Sequence, residues 1–313
     1  MIVFLVSRLI HAATVLIGVV TVTFVLIHAA GDPLAGLIPP GASPEVESDI
    51  RRAYGLDRPL FEQYLDFLAG ALRGNFGESW RQERPAMEAV TERLPVTLTL
   101  SVSSIALAIL AGGALGIIAA ANPGSPWDVA ARPSALLGQA IPAFWLGTLL
   151  ILVFAVELKW LPSSGAEGFA GLVLPILTLA AYPASLLTRL LRASMMETLA
   201  GEYVRTARAK GLREKQIVIG HALRNAALPA LAFSGVQIGF LFGGAVIVEG
   251  VFALPGIGSL ALESVQTRDL PVVQAFVWTV AVMILAVNLL IAAIAQLLDP
   301  RLRDSGPLSR SAA

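Results

Sequence analysis

Residues 96–121 read VTLTLSVSSIALAILAGGALGIIAAA, a run of 26 positions without a charged side chain. A bilayer core about 30 Å thick is crossed by about 20 apolar helical residues, so this run is long enough to span a membrane. Five further apolar runs extend the pattern, at residues 9–30, 134–156, 171–187, 227–248 and 271–298. The sequence therefore predicts an all-α membrane protein with six transmembrane helices.

Composition indicates the same class. Of the 313 residues, 56% are hydrophobic and 14% are charged, and the mean hydropathy is +0.75. Soluble domains carry about 25% charged residues. The formal net charge is zero, which leaves no overall basic field to hold nucleic acid. Cysteine is absent, and this excludes disulfides, Cys-ligated metals and iron–sulfur clusters.

The first apolar run admits two interpretations. Arg8 precedes it and the small residues Ala29, Ala30 and Gly31 follow it, as in a secretory signal peptide. Signal-peptide cores usually hold about 7 to 15 apolar residues, whereas this run is longer and leads into further spans. We therefore expect a retained first transmembrane helix.

Lys and Arg mark the cytoplasmic side of a membrane protein when they lie in short loops. Residues 188–226 carry eight of them against three acidic residues. This loop is therefore expected in the cytoplasm, and alternation across six spans places both termini there as well. The sequence predicts a multi-pass protein of the cytoplasmic (inner) membrane, in contact with membrane lipid.

The predicted domains follow from these spans. Residues 1–30 comprise the N-terminus and first helix, and residues 31–95 form an external helical domain. Residues 96–301 form a five-helix core that includes the loop 188–226, and residues 302–313 form a cytoplasmic tail.

The external segment carries helix signals of its own. Ser43 and Pro44 are a typical helix start, and a second helix is predicted from Pro59. Its apolar residues recur at helical spacing and predict one buried face, formed by Phe61, Tyr64, Leu65, Leu68 and Leu72. Two interpretations stay open: a cap on the outer mouth of the bundle, or a cap that also docks a partner delivering solute.

A short helix is predicted within the basic loop, where residues 202–212 read EYVRTARAKGL. Val204, Ala207 and Gly211 fall at i, i+3 and i+7, which gives one face of small residues that another surface can approach closely. Glycine suits a helix end, and cations in the last turn complement the helix dipole. We expect this helix to end at Gly211, outside the membrane.

This stretch resembles the cytoplasmic EAA loop of ABC importer permeases, in the form found in the dipeptide, oligopeptide and nickel permease family. Other segments resemble that family in the same order along the chain, at residues 32–33, 54–60, 74–77, 92–95, 142–147, 249–256 and 298–301. The long external segment resembles the permease type with an elaborated first external loop. The general pattern has Glu-Ala-Ala where this chain has Arg205-Thr206-Ala207, which weakens the assignment of an acidic contact to Glu202.

The resemblance implies a type I ABC importer permease for a small polar solute, with di- or oligopeptides the first expectation and nickel or another small solute the alternative. It implies three kinds of partner: a second homologous permease, cytoplasmic ATPase subunits that bind ATP and Mg, and an extracytoplasmic solute-binding protein. The residues that it assigns to the ATPase-coupling loop are Glu202, Tyr203, Arg205, Thr206, Ala207, Arg208, Ala209, Lys210 and Gly211.

No catalytic site is expected in this chain. It has no Gly-rich phosphate loop ending in Gly-Lys-Ser or Gly-Lys-Thr, so ATP is assigned to other subunits and no cofactor to this one. His11, His28 and His221 form no metal-binding motif. The rival classes are a membrane enzyme, for which no nucleophile–base pair is found, and an ion-coupled secondary transporter, for which neither paired midplane charges nor an internal repeat is found.

Glu249 is a carboxylate at the edge of an apolar run. Ionisable groups at membrane depth are costly and suggest a function, so Glu249 is a possible pathway or gate residue. Alternatively, Pro255 and the glycines beside it end the helix, which would let Glu249 reach water or cap local backbone groups.

Overall fold

A computed structural model of the chain describes residues 2–29, 31–32, 38, 41–165 and 168–298. The predicted end of the first run at residue 30, the predicted tail 302–313 and parts of the motifs at 32–33 and 298–301 lie outside them. Within these ranges the only extended pairing is an isolated bridge between Glu78 and Pro85. The helices are α1 Ile2–Ala29, α2 Pro44–Ala53, α3 Leu60–Leu72, α4 Ala86–Leu107, α5 Gly113–Ala121, α6 Pro126–Ala140, α7 Ala143–Leu150, α8 Gly168–Leu199, α9 Glu202–Ala209, α10 Glu214–Gln216, α11 Leu223–Val251, α12 Ile257–Gln266 and α13 Leu270–Leu298.

Within the described residues, three short π-helical segments interrupt these helices. Ala108–Gly112 joins α4 to α5, Ile151–Glu157 follows α7, and Ile217–Ala222 joins α10 to α11. Segments of this kind are rare and frequently occur at functional sites in helices. The last of them connects the predicted coupling loop to α11.

Several helices are long and apolar enough to cross a membrane. In the described part of the chain they are Ile10–Ala29, Ala86–Ala121, Gly168–Leu199 and Leu270–Ile291, with a fifth if Pro126–Ala140 and Ala143–Glu157, bent by 107°, form one span. The remaining predicted run, 227–248, lies in α11, where the stretch Gly239–Val251 is an apolar helix. Each predicted run thus falls on a helix or on the bent pair.

Helix α4 begins earlier than hydropathy indicates. It starts at Ala86 and passes through Pro95 without ending, so the end of the predicted external segment belongs to the same helix as the second predicted span. Glu88, Glu92 and Arg93 make this part polar. Hydropathy therefore reports where a helix becomes apolar and not where it starts.

The chain divides into two compact units, and the first contains residues 1–95 and 256–286. Its buried core draws on α1, α3, α4, α12 and α13, with Val20, Ala71, Val90, Leu260 and Val272 among its members. These side chains are at most 4% exposed. Burial of such apolar area is the main favourable contribution to packing outside lipid.

The helix starts predicted in the external segment are confirmed. Helix α2 begins at Pro44, and the Ser43 hydroxyl accepts a hydrogen bond from the Val46 backbone N–H. Helix α3 has Pro59 as its N-cap.

The predicted buried face of α3 is partly wrong. Tyr64 and Leu68 are half-buried beside the fully buried Ala71, whereas Phe61, Leu65 and Leu72 are 69%, 46% and 79% exposed. The stripe that packs inward follows i, i+4 and i+7 from Tyr64, so Phe61 and Leu72 lie outside it.

A buried carboxylate holds the connection between α3 and α4 of this unit in place. Asp269 is 2% exposed, and it accepts hydrogen bonds from the Ser79 hydroxyl at 2.5 Å and the Trp80 backbone N–H at 3.1 Å. Both partners lie between α3 and α4. The contact ties this connection to the residue just before α13.

Helix α8 organises the second unit, whose described residues are 96–165, 168–255 and 287–298. Helices α5, α6, α7 and α11 all pack against it. Glycines allow a very close approach: a Cβ atom on Gly112 would lie 2.4 Å from the Ala184 carbonyl oxygen, and one on Gly116 would lie 2.8 Å from that of Thr188. Small residues at helix interfaces are how membrane helices gain packing contacts.

Candidate functional site

The predicted coupling helix is present as α9, and its end is as predicted. Gly211 has φ +77°, in the left-handed region that favours glycine. The Leu212 N–H donates to the Ala207 carbonyl at 3.3 Å, and the Gly211 N–H donates to the Arg208 carbonyl at 2.9 Å. This is the hydrogen-bond pattern of a Schellman motif, and it ends the helix at Ala209 with Lys210 as the C-cap.

One face of α9 is closed on the protein itself. Val204 and Ala207 are 0% and 7% exposed, and they form a small apolar cluster with Ile217, beside Leu199. The surface that approaches the small-residue face at Val204 and Ala207 is therefore part of this chain, and apolar burial within the loop covers both residues. The cluster fixes α9 to the segment that leads into α11.

The opposite face of α9 is exposed. The Tyr203 hydroxyl accepts a hydrogen bond from the Asn225 side-chain amide at 3.0 Å. The Thr206 hydroxyl donates back to the Glu202 carbonyl at 3.0 Å. The predicted coupling residues on this outer surface are Glu202, Tyr203, Arg205, Thr206, Arg208, Ala209, Lys210 and Gly211.

Two of the three cations on this surface are paired within the chain. Arg205 lies 3.2 Å from Glu202 in a pair that is more than 80% exposed on both sides. Arg208 contacts both carboxylate oxygens of Glu214, at 2.7 and 3.3 Å. Exposed pairs contribute about 0–1 kcal/mol, so a binding partner can replace them at little cost. No ion pair is found for Lys210 among the described residues.

The Arg208–Glu214 contact favours the charged form of both groups. Hydrogen bonds from the Arg208 guanidinium hold the pKa of Glu214 below its ordinary value, and the same bonds raise the pKa of Arg208. Both side chains therefore remain charged across the physiological pH range. The loop that contains α9 therefore presents fixed charges to any partner.

Glu249 lies away from this loop, near the end of α11. It is fully buried, and its carboxylate accepts a hydrogen bond from the Thr97 hydroxyl of α4 at 2.5 Å. The alternative in which Glu249 reaches water is therefore wrong for this conformation. The Glu249 backbone carbonyl also accepts from the Leu254 N–H at 2.9 Å, after the helix has ended.

A buried carboxylate that sequence reasoning missed is Asp128, in the first turn of α6. It is 0% exposed and contacts Arg192 of α8 and Arg132 of its own helix. The available signal was a helix start at Ser125 followed by a lone acidic residue, which also describes an ordinary N-terminal turn. Within the described ranges, no three His, Asp or Glu side chains are grouped so as to hold a metal ion.

Comparisons with known proteins agree on one family. Residues 112–304 match the family described as binding-protein-dependent transport system inner membrane component, and residues 1–101 match its N-terminal family. The glutathione transport system permease protein GsiC of Escherichia coli (strain K12) is 38% identical over 301 residues, which cover 96% of this chain and 98% of that protein. GsiC of Shigella dysenteriae serotype 1 (strain Sd197) gives the same values.

The fold is also similar to a solved one. A structure of the MetNI methionine ABC transporter in an inward-facing conformation matches with a TM-score of 0.54 at 17% identity, covering 68% of this chain and 97% of that chain. At this identity the likeness concerns the fold alone. Members of the matched family are transport permeases, which are not themselves catalytic. The chain therefore belongs to the binding-protein-dependent transport system inner membrane component family, as a permease subunit of an ABC importer of the peptide/nickel type.

Proposed function

We propose that this permease imports di- or oligopeptides and that α9 receives the work of ATP hydrolysis from cytoplasmic ATPase subunits. The observation that carries the coupling role is the two-sided character of α9. Its inner face is fixed by Val204 and Ala207 to the permease, while its outer face carries exposed polar and cationic residues. A partner that pushes on the outer face would move α8 and α11, between which α9 lies in sequence.

Three kinds of partner belong to this proposal. ATPase subunits bind ATP and Mg and contact the outer face of α9, a second homologous permease completes the pathway, and a solute-binding protein delivers the solute outside. The family description, which names binding-protein-dependent transport, supports the last of these. The exposed Phe61 and Leu72 on α3 supply apolar surface in the segment assigned to the outer side.

Peptide is the preferred solute because the relatives at 38% identity are named as permeases for glutathione, which is a peptide. Nickel carried by the same mechanism is the alternative. Native mass spectrometry of the ligand that co-purifies with the cognate binding protein separates the two. Uptake driven by an ion gradient without ATPase subunits would instead favour a secondary transporter.

Glu249 is proposed as a gate residue. Its hydrogen bond to Thr97 connects α11 to α4 within the second unit, and both helices carry predicted spans. A hydrogen bond between two spans that is present in one conformation and broken in the other can stabilise the closed pathway relative to the open one.

The orientation of the chain gives a direct test of this arrangement. We expect a cysteine at Asp49, whose side chain is 72% exposed, to react with an impermeant thiol reagent from outside the cell. A cysteine at the exposed Ala209 should react only from the cytoplasmic side. The chain contains no cysteine of its own, so the thiol reagent can label this protein only at the introduced position. Labelling of both positions from one side would contradict both the six-span arrangement and cytoplasmic termini.

The coupling role is tested by Lys210→Glu in the complex co-expressed with its second permease and ATPase subunits. Because Lys210 has no ion pair among the described residues, the reversal breaks no contact of that kind within this chain. Like charges placed across an interface cost several kcal/mol. We expect retention of the ATPase subunits through purification, and solute uptake, to fall by roughly tenfold or more.

Arg73→Glu is the matched control, because it makes the same change of charge on an exposed residue of the predicted external segment. Retention of the ATPase subunits should stay at the wild-type level in that variant. Gly211→Asp is a less specific probe because φ +77° makes any side chain strain the helix end. Wild-type assembly and uptake in Lys210→Glu would refute docking of the ATPase on this face.

A further inference from the structure

Asp128 is a buried charge outside the proposed coupling surface. Its Oδ1 atom accepts a hydrogen bond from Arg192 Nε at 2.6 Å, and its Oδ2 atom accepts from Arg132 Nη2 at 3.0 Å. The Gly124 backbone N–H also donates to Oδ2, at 3.0 Å. A carboxylate that is 0% exposed needs such partners, because an unpaired buried charge is strongly destabilising.

The ion pair joins two helices that are far apart in sequence. Asp128 lies at the start of α6 and Arg192 lies 64 positions later, near the end of α8. The Arg192 side chain is only 21% exposed, whereas that of Arg132 is 64% exposed. Arg192 is therefore the partner that connects Asp128 to α8, whereas Arg132 is an exposed partner on α6 itself.

A second contact joins the same helices farther along α6. A Cβ atom on Gly138 would lie 2.7 Å from Ser185 Cβ and 2.9 Å from the Ala181 carbonyl oxygen, so the two backbones approach closely there. Asp128 lies opposite Arg192, and Gly138, ten residues later on α6, lies opposite Ser185, seven residues earlier on α8. The two helices therefore run antiparallel. The two helices are thus held at two levels, by an ion pair and by close packing.

Helix α8 leads directly to the proposed coupling helix. Only Ala200 and Gly201 separate its end at Leu199 from the start of α9. Arg192 lies about two helical turns before that end. A displacement of α9 would therefore reach Arg192 through a continuous helix, beyond the packing contacts of Leu199 and Met195.

We propose that Asp128 is a positioning residue that fixes α6 to the cytoplasmic end of α8, so that a displacement of the coupling loop also moves the third predicted span. This inference rests on the proposed coupling role of α9. The ion pair acts by transmitting the displacement and takes no part in contact with the ATPase or the solute. Loss of the pair should uncouple hydrolysis from transport and leave docking intact.

The test is Asp128→Asn in the purified complex of permeases, ATPase subunits and binding protein, reconstituted in vesicles. The amide keeps the shape of the carboxylate but removes its charge and turns a donor toward one of the arginines. We expect the ATPase subunits to stay bound and hydrolysis to continue, while solute uptake per ATP hydrolysed falls by about tenfold. Arg192→Gln should give the same fall, and the double variant should be no worse than either single one.

Arg132→Gln is the control, since this exposed partner lies on the same helix as Asp128 and cannot connect α6 to α8. It should keep wild-type uptake per ATP. Unchanged uptake per ATP in Asp128→Asn would overturn the proposal. Equal losses of uptake and hydrolysis, together with a lower melting temperature of the complex, would also overturn it, because they would indicate a purely structural role. If Asp128→Asn does not assemble, Arg192→Lys takes its place, because it keeps the charge but lacks the Nε donor. Its uptake per ATP hydrolysed should fall in the same way, and an unchanged value would overturn the proposal.

The Lys210→Glu variant, assayed in parallel, separates this inference from the coupling proposal. Loss of ATPase subunits in Lys210→Glu together with normal uptake per ATP in Asp128→Asn would refute the α6–α8 connection alone. Normal behaviour of Lys210→Glu would refute the docking role of α9, whatever Asp128→Asn does.

Discussion

Gly112→Ala is expected to prevent stable assembly of the permease, whereas Gly113→Ala is expected to be tolerated. At Gly112 an added Cβ would lie 2.4 Å from the Ala184 carbonyl oxygen and 2.8 Å from the Ala184 Cα atom. Both are backbone atoms of α8, so they cannot move aside without shifting the helix. Overpacking costs about 1–3 kcal/mol and more where backbone must move, and we expect the upper part of this range.

Gly113 is a closely matched control. Its added Cβ would meet only Leu191 Cδ1, at the ordinary contact distance of 3.5 Å. Both glycines have right-handed helical backbone angles, near −67° and −40° for Gly112 and −63° and −49° for Gly113. Alanine favours such a conformation over glycine by about 1 kcal/mol, so Gly113→Ala should be neutral or slightly stabilising.

The measurement is the thermal midpoint of the detergent-solubilised complex, followed by size-exclusion chromatography with fluorescence detection. Gly112→Ala should lower the midpoint by many degrees or leave no complex to measure. Equal midpoints for the two variants would show that Gly112 and α8 do not approach as closely as described.

Glu249→Ala is expected to lower solute uptake by about tenfold while the ATPase subunits remain bound. Removing the carboxylate leaves the buried Thr97 hydroxyl without this acceptor, which costs about 1–3 kcal/mol. Because the bond connects α11 to α4, its loss should alter the balance between closed and open arrangements of the pathway. Glu249 lies far along α11 from the coupling loop, so docking should be unaffected.

Two further variants identify which property of Glu249 matters. Thr97→Val removes the donor at nearly constant volume and should reproduce the loss if the bond is the gate contact. Glu249→Gln keeps an acceptor and should retain more uptake than Glu249→Ala. Wild-type uptake in both Glu249→Ala and Thr97→Val would exclude the gate role.

The parts of the fold that the sequence predicted are those governed by local chemistry. The start of α2 follows from the Ser43 hydroxyl and Pro44, and the end of α9 follows from the freedom of glycine at Gly211. The apolar runs follow from the thickness of the bilayer. Each of these depends on a few neighbouring residues, so one sequence is enough to find it.

The parts that were missed depend on partners distant in the chain. Asp128 is informative only beside Arg192, and its burial cannot be inferred from residues 122–133 alone. The spacing of Val204 and Ala207 predicted a face that another surface can approach, but it does not reveal that Ile217 of the same chain covers them. Spacing shows that a face exists, whereas tertiary packing decides what occupies it.

The contact of α9 with Ile217 also defines the smallest piece that can be exchanged between permeases. A graft limited to residues 202–211 would separate Val204 and Ala207 from the residue on which they pack. A graft of residues 199–217 would carry both sides of the contact, including Leu199, and would leave the host spans untouched. In a chimeric importer designed to use a foreign ATPase, the two junctions should therefore lie before residue 199 and after residue 217. The transferred loop then keeps its own apolar cluster.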